Sequence, residues 1–268
     1  MQHFGTFAPT GVSRIILGLA KMGLGRGRLK FLFSQLWNRV NGDKHVDLTY
    51  QNLKLRLQPR QNTIESKIMF SAKKREGAEL ALIKRHLVDG GVFVDIGSNI
   101  GYYALNVALM NAGKVIAIEP NPPVLARLRD NIALNDLQSK IIVHDVAIGA
   151  AKGIAHLTIS DNDLGSSSII NARVGKTHID VEVVPLVEIL KINDIAGANV
   201  IKIDIEGMED RALFPYFKNI AKAQYPKLIV MEDGINEQWE HDILGWLLAN
   251  GYRAAARTRG NIMLEHNG

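Results

Sequence analysis

Cysteine is absent from this 268-residue chain, which excludes disulfides, thiolate-bound zinc and a cysteine nucleophile. The absence fits a reducing compartment, and a cytoplasmic location is expected. Long hydrophobic runs are lacking as well. Residues 15–20 form one of the longest, far short of the roughly 20 residues that span a bilayer. Arg14 alone precedes that run and no small-residue cleavage site follows, which argues against a secretory signal. Aromatic residues make up only 6% of the chain, and few fall near the polar stretch 161–168, so no sugar-stacking platform stands out. What is present, 47% hydrophobic and 22% charged residues, is ordinary for a globular protein. The length suits one sizeable α/β domain with an extension.

Acidic residues are missing from positions 1–42. Residues 1–76 carry 14 Lys/Arg against 4 Asp/Glu, a net of +10, while the remainder carries 18 against 23, a net of −5. Such asymmetry marks either an anionic partner or a solvated basic face. Val12, Ile15, Ile16 and Leu19 recur at helical spacing, as do Leu29, Leu32, Phe33, Leu36 and Val40. Gly23, Gly25 and Gly27 separate the two segments, and Arg26, Arg28, Lys30 and Arg39 flank the second. Two outcomes are open for residues 11–42: peripheral contact with a membrane surface, or burial of the stripe on the main domain or in a homodimer. Burial is the commoner outcome and is the expectation.

Residues 46–50 and 53–57 alternate about Gln51-Asn52 and predict a hairpin. A helix follows from Glu76, with Leu80, Ile83 and Leu87 on one side, ended by Asp89-Gly90-Gly91. Beyond it, apolar runs at 92–96, 115–118, 141–143, 200–205 and 228–231 alternate with amphipathic segments at 102–110, 124–134 and 209–217. That pattern predicts a doubly wound α/β fold on a parallel sheet covered on both faces. A last helix near 239–250 and strands near 252–256 and 262–265, joined at Arg259-Gly260-Asn261, give an antiparallel closing hairpin. Added strands are expected at 155–160 and 179–184, with a short helix at 186–190. The division expected is a basic helical and hairpin extension, 1–75, and a main domain, 76–268.

Chemistry gathers where the strands end. Val94-Asp95-Ile96-Gly97-Ser98-Asn99-Ile100-Gly101 follows a strand and opens a helix. Gly97 and Gly101 permit a tight turn and close approach of a ligand, although a plain strand–helix turn reads the same way. The spacing is not the G-x-G-x-x-G of dinucleotide folds, which weakens the reading as an NAD-linked oxidoreductase. Asp95 suits an ammonium group better than a pyrophosphate. Glu119, 24 positions on, ends the next strand and suits both hydroxyls of a ribose. Asp145, after the third strand, suits an adenine amino group. Ser98, Asn99, Pro120, Asn121 and Val146 complete the expected cofactor wall. Asp204 and Glu206 share a side if the fourth strand runs that far, and Glu232 ends the fifth. Glu209 and Asp210 read equally well as the acidic start of a helix. No His/carboxylate spacing points to a metal.

These motifs, with Tyr102-Tyr103, Ala117-Ile118-Glu119-Pro120-Asn121-Pro122, Asn131 and Asn135, Ala147-Ile148-Gly149 and Ile203-Asp204-Ile205-Glu206-Gly207, resemble the FkbM family of S-adenosyl-L-methionine-dependent methyltransferases. The resemblance spans roughly residues 76–235 in the correct order. It implies a Rossmann-like class I methyltransferase sheet with its last strand inserted antiparallel. S-adenosyl-L-methionine is the implied cofactor, and a hydroxyl of a sugar, glycolipid or polyketide-like product the implied acceptor. No nucleic-acid partner is expected. Asp204, Glu206 and Glu232 are the candidate proton acceptors. The family's Leu-Asp ahead of the fourth strand is here Leu186-Val187-Glu188, and Ser98 stands where Ala is frequent, a minor change. Asn121-Pro122-Pro123-Val124 resembles the Asn-Pro-Pro-aromatic motif of nucleic-acid amino-methylating enzymes, but it follows the wrong strand and reads as a helix start. A non-catalytic ligand-binding module is the alternative from another class.

Overall fold

The computed structural model describes residues 2–24, 28–70, 77–87, 90–110, 112–159, 164, 177–234, 236–258 and 260–267. Two helices, α1 (Gly11–Leu19) and α2 (Arg28–Asn41), precede a hairpin of β1 (Val46–Tyr50) and β2 (Leu53–Leu57). Helices α3 (Thr63–Phe70) and α4 (Gly77–His86) lead to β3 (Val92–Ile96), α5 (Tyr102–Ala108), β4 (Lys114–Ile118), α6 (Pro122–Leu134) and β5 (Ile141–His144). An insertion follows: β6 (Ala147–Ile148), β7 (Gly153–Ile159) and β8 (Thr177–Val184), joined as a small sheet of their own. The expected polar loop 161–168 between β7 and β8 lies outside the described residues except for Leu164. The chain then forms α7 (Leu186–Ile192), β9 (Val200–Ile203), α8 (Glu209–Lys218), β10 (Leu228–Glu232), α9 (Ile243–Ala249), β11 (Tyr252–Arg257) and β12 (Asn261–His266).

Seven strands make the central sheet in the order β5-β4-β3-β9-β10-β12-β11. The first five are parallel, and β12 runs antiparallel between β10 and β11. Strand periodicity sorts the side chains onto two faces. Phe93, Val115, Ala117, Val200 and Val230 enter one core with α4, α5 and α6. Val94, Ile96, Ile116, Ile118, Ile201, Ile203 and Ile229 enter the other with α7, α8 and α9. Both faces are covered, which is why these strands read as continuous apolar runs.

The extension shares the first core across the expected 75/76 division: Trp37, Leu53, Leu55, Leu57 and Phe70 are buried in the same cluster as Phe93. Asn131 of α6 and Asn135, the residue that caps its end, accept hydrogen bonds from the backbone N–H groups of Arg56 (2.7 Å) and Lys54 (2.9 Å). Asn135 also donates to the Lys54 carbonyl. Two asparagines thus dock the β2 edge on α6. Beneath them the Arg127 guanidinium of α6 pairs with Glu65 of α3 at 2.6 Å, both side chains buried.

Most of the expected apolar stripe of the N-terminal helices faces outward, and of its members only Ile16 and Phe33 turn inward. Ile16, Leu17, Ala20, Phe33 and Trp37 are buried, whereas Val12, Ile15, Leu19, Leu29, Leu32, Leu36 and Val40 are exposed. Trp37 accounts for the difference: it meets Phe70 edge-on at 6.3 Å and turns the Phe33/Trp37 side of α2 inward. Helical spacing located the apolar positions without deciding which of two apolar faces would be covered.

The buried Arg127–Glu65 pair and the exposed Arg129–Asp145 pair on the same helix predict opposite mutational costs. Arg127→Ala strands a buried carboxylate and should cost about 3–5 kcal/mol. Arg129→Ala should cost under about 1 kcal/mol, since its partner at 3.4 Å is solvated on both sides. Urea denaturation of both variants checks the contrast; equal losses would contradict it.

Candidate functional site

A cavity of about 330 Å³ lies beyond the carboxyl ends of β3, β4, β9 and β10. That is where ligands of open α/β sheets bind. Gly97, Ser98 and Asn99 supply one wall, Glu119 and Pro120 the next, and Val146 to Ile148 a third. Asp204, Ile205, Glu206 and Glu232 face them. Two contributions come from distant parts of the chain: Thr63, Ile64 and Lys67 of α3, and Gly260 and Asn261 of the closing hairpin.

The turn after β3 has little freedom. Gly97 has a φ of +75°, and a Cβ there would lie 2.1 Å from the Asp204 carbonyl oxygen. Only glycine allows the loop to press so closely on the end of β9. The N–H groups of Gly97 and Ser98 both reach the Ile118 carbonyl at 3.0 Å. Ser98 Oγ donates to the Asp95 carbonyl (2.7 Å) and accepts from the Ile118 N–H (2.9 Å), joining β3 to β4. Alanine would lose both bonds, so the serine is more than a minor change. Asn99, itself at φ +51°, donates its N–H to Glu119 Oε2 at 2.8 Å, and Asn121 donates its own to Oε1 at 2.9 Å. Asn62 caps α3 through its Oδ1 and donates Nδ2 to Asn99 Oδ1 at 2.9 Å, which attaches the extension to this loop.

Some sequence-predicted residues stand apart from the cavity. Asp95 is fully buried behind it: strand parity turns its side chain toward α5, where Oδ2 accepts the Ala104 N–H at 3.1 Å. Its register partner on β9 is Lys202, whose Nζ lies 3.7 Å from Asp95, 3.4 Å from Asp204 and over the Tyr103 ring. Gly101 fits against Leu128, and Asn121 is buried with its amide on the Leu164 carbonyl. Asp145 does not join the site; its exposed carboxylate pairs with Arg129. Glu188, one residue beyond the position of the family's Asp, pairs with Lys152 at 3.4 Å. Lys202, Thr63, Ile64, Lys67 and Asn261 are the residues that motif reading missed. Lys202 carried a signal, being a lone lysine inside an apolar strand.

The acidic side is more constrained than a strand pattern suggests. β9 ends at Ile203, and Glu206 (φ +57°) and Gly207 (φ +96°) turn the chain, so Asp204 and Glu206 do not share a strand face. Both still line the cavity. Glu209, buried at the start of α8, holds this turn: Oε1 accepts the Ile205 N–H at 2.9 Å, and Oε2 accepts Trp239 Nε1 at 2.9 Å. Asp210 Oδ2 accepts the N–H groups of Glu240 and His241. These two are structural. Glu232 differs: burial, then the charge of Asp204 and a hydrogen bond with it, push its carboxyl up to about 9. Burial pushes Glu119 up to about 7, against the opposing pull of the Asn121 and Asn99 N–H groups.

Both carboxyls are raised from an ordinary value of 4.5. Raised folded values mean that their contribution to stability is complete below that value and is lost as pH rises through about 7 and about 9. Glu232→Gln removes the later loss. Urea melts across this range should show the variant gaining on the unsubstituted protein as pH rises from neutral to about 9. A pH-independent difference would contradict the protonated state.

Residues 95–254, more than half of the chain, match the methyltransferase FkbM domain. A crystal structure of methyltransferase FkbM from Methylobacillus flagellatus KT is 22% identical with a TM-score of 0.46, covering 66% of this chain and 44% of that one. Precorrin-6y C5,15-methyltransferase from Geobacter metallireducens GS-15 is 14% identical with a TM-score of 0.44, covering 73% and 90%. Among curated proteins, the ribosomal protein L11 methyltransferase of Carboxydothermus hydrogenoformans is 34% identical over 64 residues, 24% of this chain. That of Chloroflexus aurantiacus is 27% identical over 82 residues, 31% of this chain. The matched stretches span only 21% and 25% of those relatives' own length. The cofactor is S-adenosyl-L-methionine, and the chain belongs to the methyltransferase FkbM domain family.

Proposed function

We propose that the protein is an S-adenosyl-L-methionine-dependent O-methyltransferase acting on a hydroxyl of a sugar, glycolipid or polyketide-like acceptor. One observation carries the reading: the carboxylates Asp204, Glu206 and Glu232 share a cavity with the Gly97 turn and Glu119. The donor set fits the cofactor. The Gly97 turn, where a Cβ would strike the Asp204 carbonyl, brings the β3 loop and the end of β9 together along the cavity. Glu119 keeps lone pairs for two ribose hydroxyls beyond the two N–H groups it already accepts. Val146 and Ile148 offer an apolar wall suited to adenine. The acidic side suits a cation.

When bound, the cofactor supplies an already activated methyl group on its sulfonium, so the protein's task is alignment of the acceptor oxygen and removal of its proton. Glu232, held neutral at pH 7 by burial and then by Asp204, is a hydrogen-bond donor rather than a base. Asp204 and Glu206 are left as the proton acceptors. Lys202 holds Asp204 from the side facing Asp95. Asp95 therefore serves through Lys202 and the Ala104 N–H, and not by touching the ligand.

Two measurements test this reading. Mass spectrometry of glycans and lipids from cells with and without the gene should reveal an acceptor one methyl group heavier when the protein is present. An unchanged profile, together with no transfer to hydroxylated extracts in vitro, would defeat it. Glu119→Ala should weaken cofactor affinity by about tenfold or more, since each charge-assisted bond contributes roughly 1.5–3 kcal/mol, while saturated turnover falls less. Unchanged affinity would mean that the ribose is held elsewhere.

A further inference from the structure

Large apolar side chains are exposed in one place more than any other. Of fourteen such residues among those described, nine lie between Val12 and Val40. Eight of the nine follow helical spacing, Phe31 being the other. Val12, Ile15, Leu19 and Met22 line the outer side of α1 and the turn after it, and Leu29, Leu32, Leu36 and Val40 line the outer side of α2. The two helices form a hairpin closed by Ser13 Oγ on Asn41 Oδ1 at 2.7 Å. Their inner sides are already occupied by Ile16, Leu17, Phe33 and Trp37. The outer sides are therefore left over after the core is complete, and an exposed patch of this kind marks an interaction surface.

We propose that this helical hairpin docks on an anionic lipid bilayer, lying in its surface. Charge selects the occupant. Residues 1–42 hold six Lys/Arg and no Asp or Glu. Arg14 and Arg39 are exposed on the same two helices as the apolar stripes. A second copy of the chain would bring these like charges together across the contact, whereas an anionic surface neutralises them. Fourteen residues of α2 reach about 21 Å, enough to lie along a bilayer but not to cross it. No described helix is long and apolar enough to span a membrane. The docking face also bears on the cavity. Trp37 of α2 packs on Phe70 of α3, and α3 supplies Thr63, Ile64 and Lys67 to the cavity wall. Docking holds that wall one helix away from the lipid surface, where a lipid-borne molecule is within reach.

Sedimentation of the full-length protein with vesicles tests the inference without reference to catalysis. Binding is expected to vesicles of phosphatidylcholine with phosphatidylglycerol, weakly or not at all to phosphatidylcholine alone, and to fall on the order of tenfold in high salt. Leu32→Glu/Leu36→Glu should abolish it, and Arg14→Glu/Arg39→Glu should weaken it to a similar degree through charge alone. All four sites are exposed, so thermal melts should stay near the unsubstituted value. Ile154→Glu, at an equally exposed apolar position on β7, should leave binding intact. Absence of binding to anionic vesicles, or binding that neither double variant reduces, overturns the proposal. So does a dimer in sedimentation velocity that Leu32→Glu/Leu36→Glu dissociates while the unsubstituted chain ignores lipid; the face would then belong to a second copy.

Discussion

The carboxylate of Glu119 is the contact on which the site depends. It is almost wholly buried, and it grips the N–H groups of Asn99 and Asn121 with its two oxygens. Through Asn99 it fixes the turn after β3; through Asn121 it fixes the start of α6. Asn62 joins the same network from α3, so the extension is held to the loop that forms the cavity. Removal of this one group loosens three chain segments at once. Burial also makes a charged Glu119 costly, and its carboxyl is pushed up to about 7. A ligand that donates to it recovers part of that cost.

The opposite wall follows the same logic with a different result. Asp204, Glu206 and Glu232 converge where water is partly excluded, and all three cannot carry charge cheaply. Glu232 keeps its proton, through burial and the neighbouring Asp204, and Lys202 offsets Asp204 from behind. The arrangement sets a protonated carboxyl beside two further acidic side chains within one small cavity. Glu209 and Asp210 keep the turn that carries them in place, using Trp239 and the backbone of Glu240 and His241.

Much of this was legible in the sequence. The parallel strands announced themselves because both faces are buried, and the turn at Gly97 because glycine alone fits there. The Asn131/Asn135 pair was visible as a motif, but its purpose, docking the β2 edge, appears only when β2 and α6 meet. Asp95 looked like a ligand residue because it ends a strand; parity turned it to the other side. Asp145 looked alike and lies on the surface with Arg129. The contribution of α3 could not be read from local pattern, since it depends on a contact between residues 62 and 99. The N-terminal helices failed in a different way: each has two apolar sides, and periodicity cannot rank them.

Calorimetric titration of the metal-free protein tests the central claim most directly. S-adenosyl-L-homocysteine, the demethylated cofactor, is predicted to bind to one site per chain, and NAD to give no heat. Tight binding of NAD with none of S-adenosyl-L-homocysteine would contradict the account.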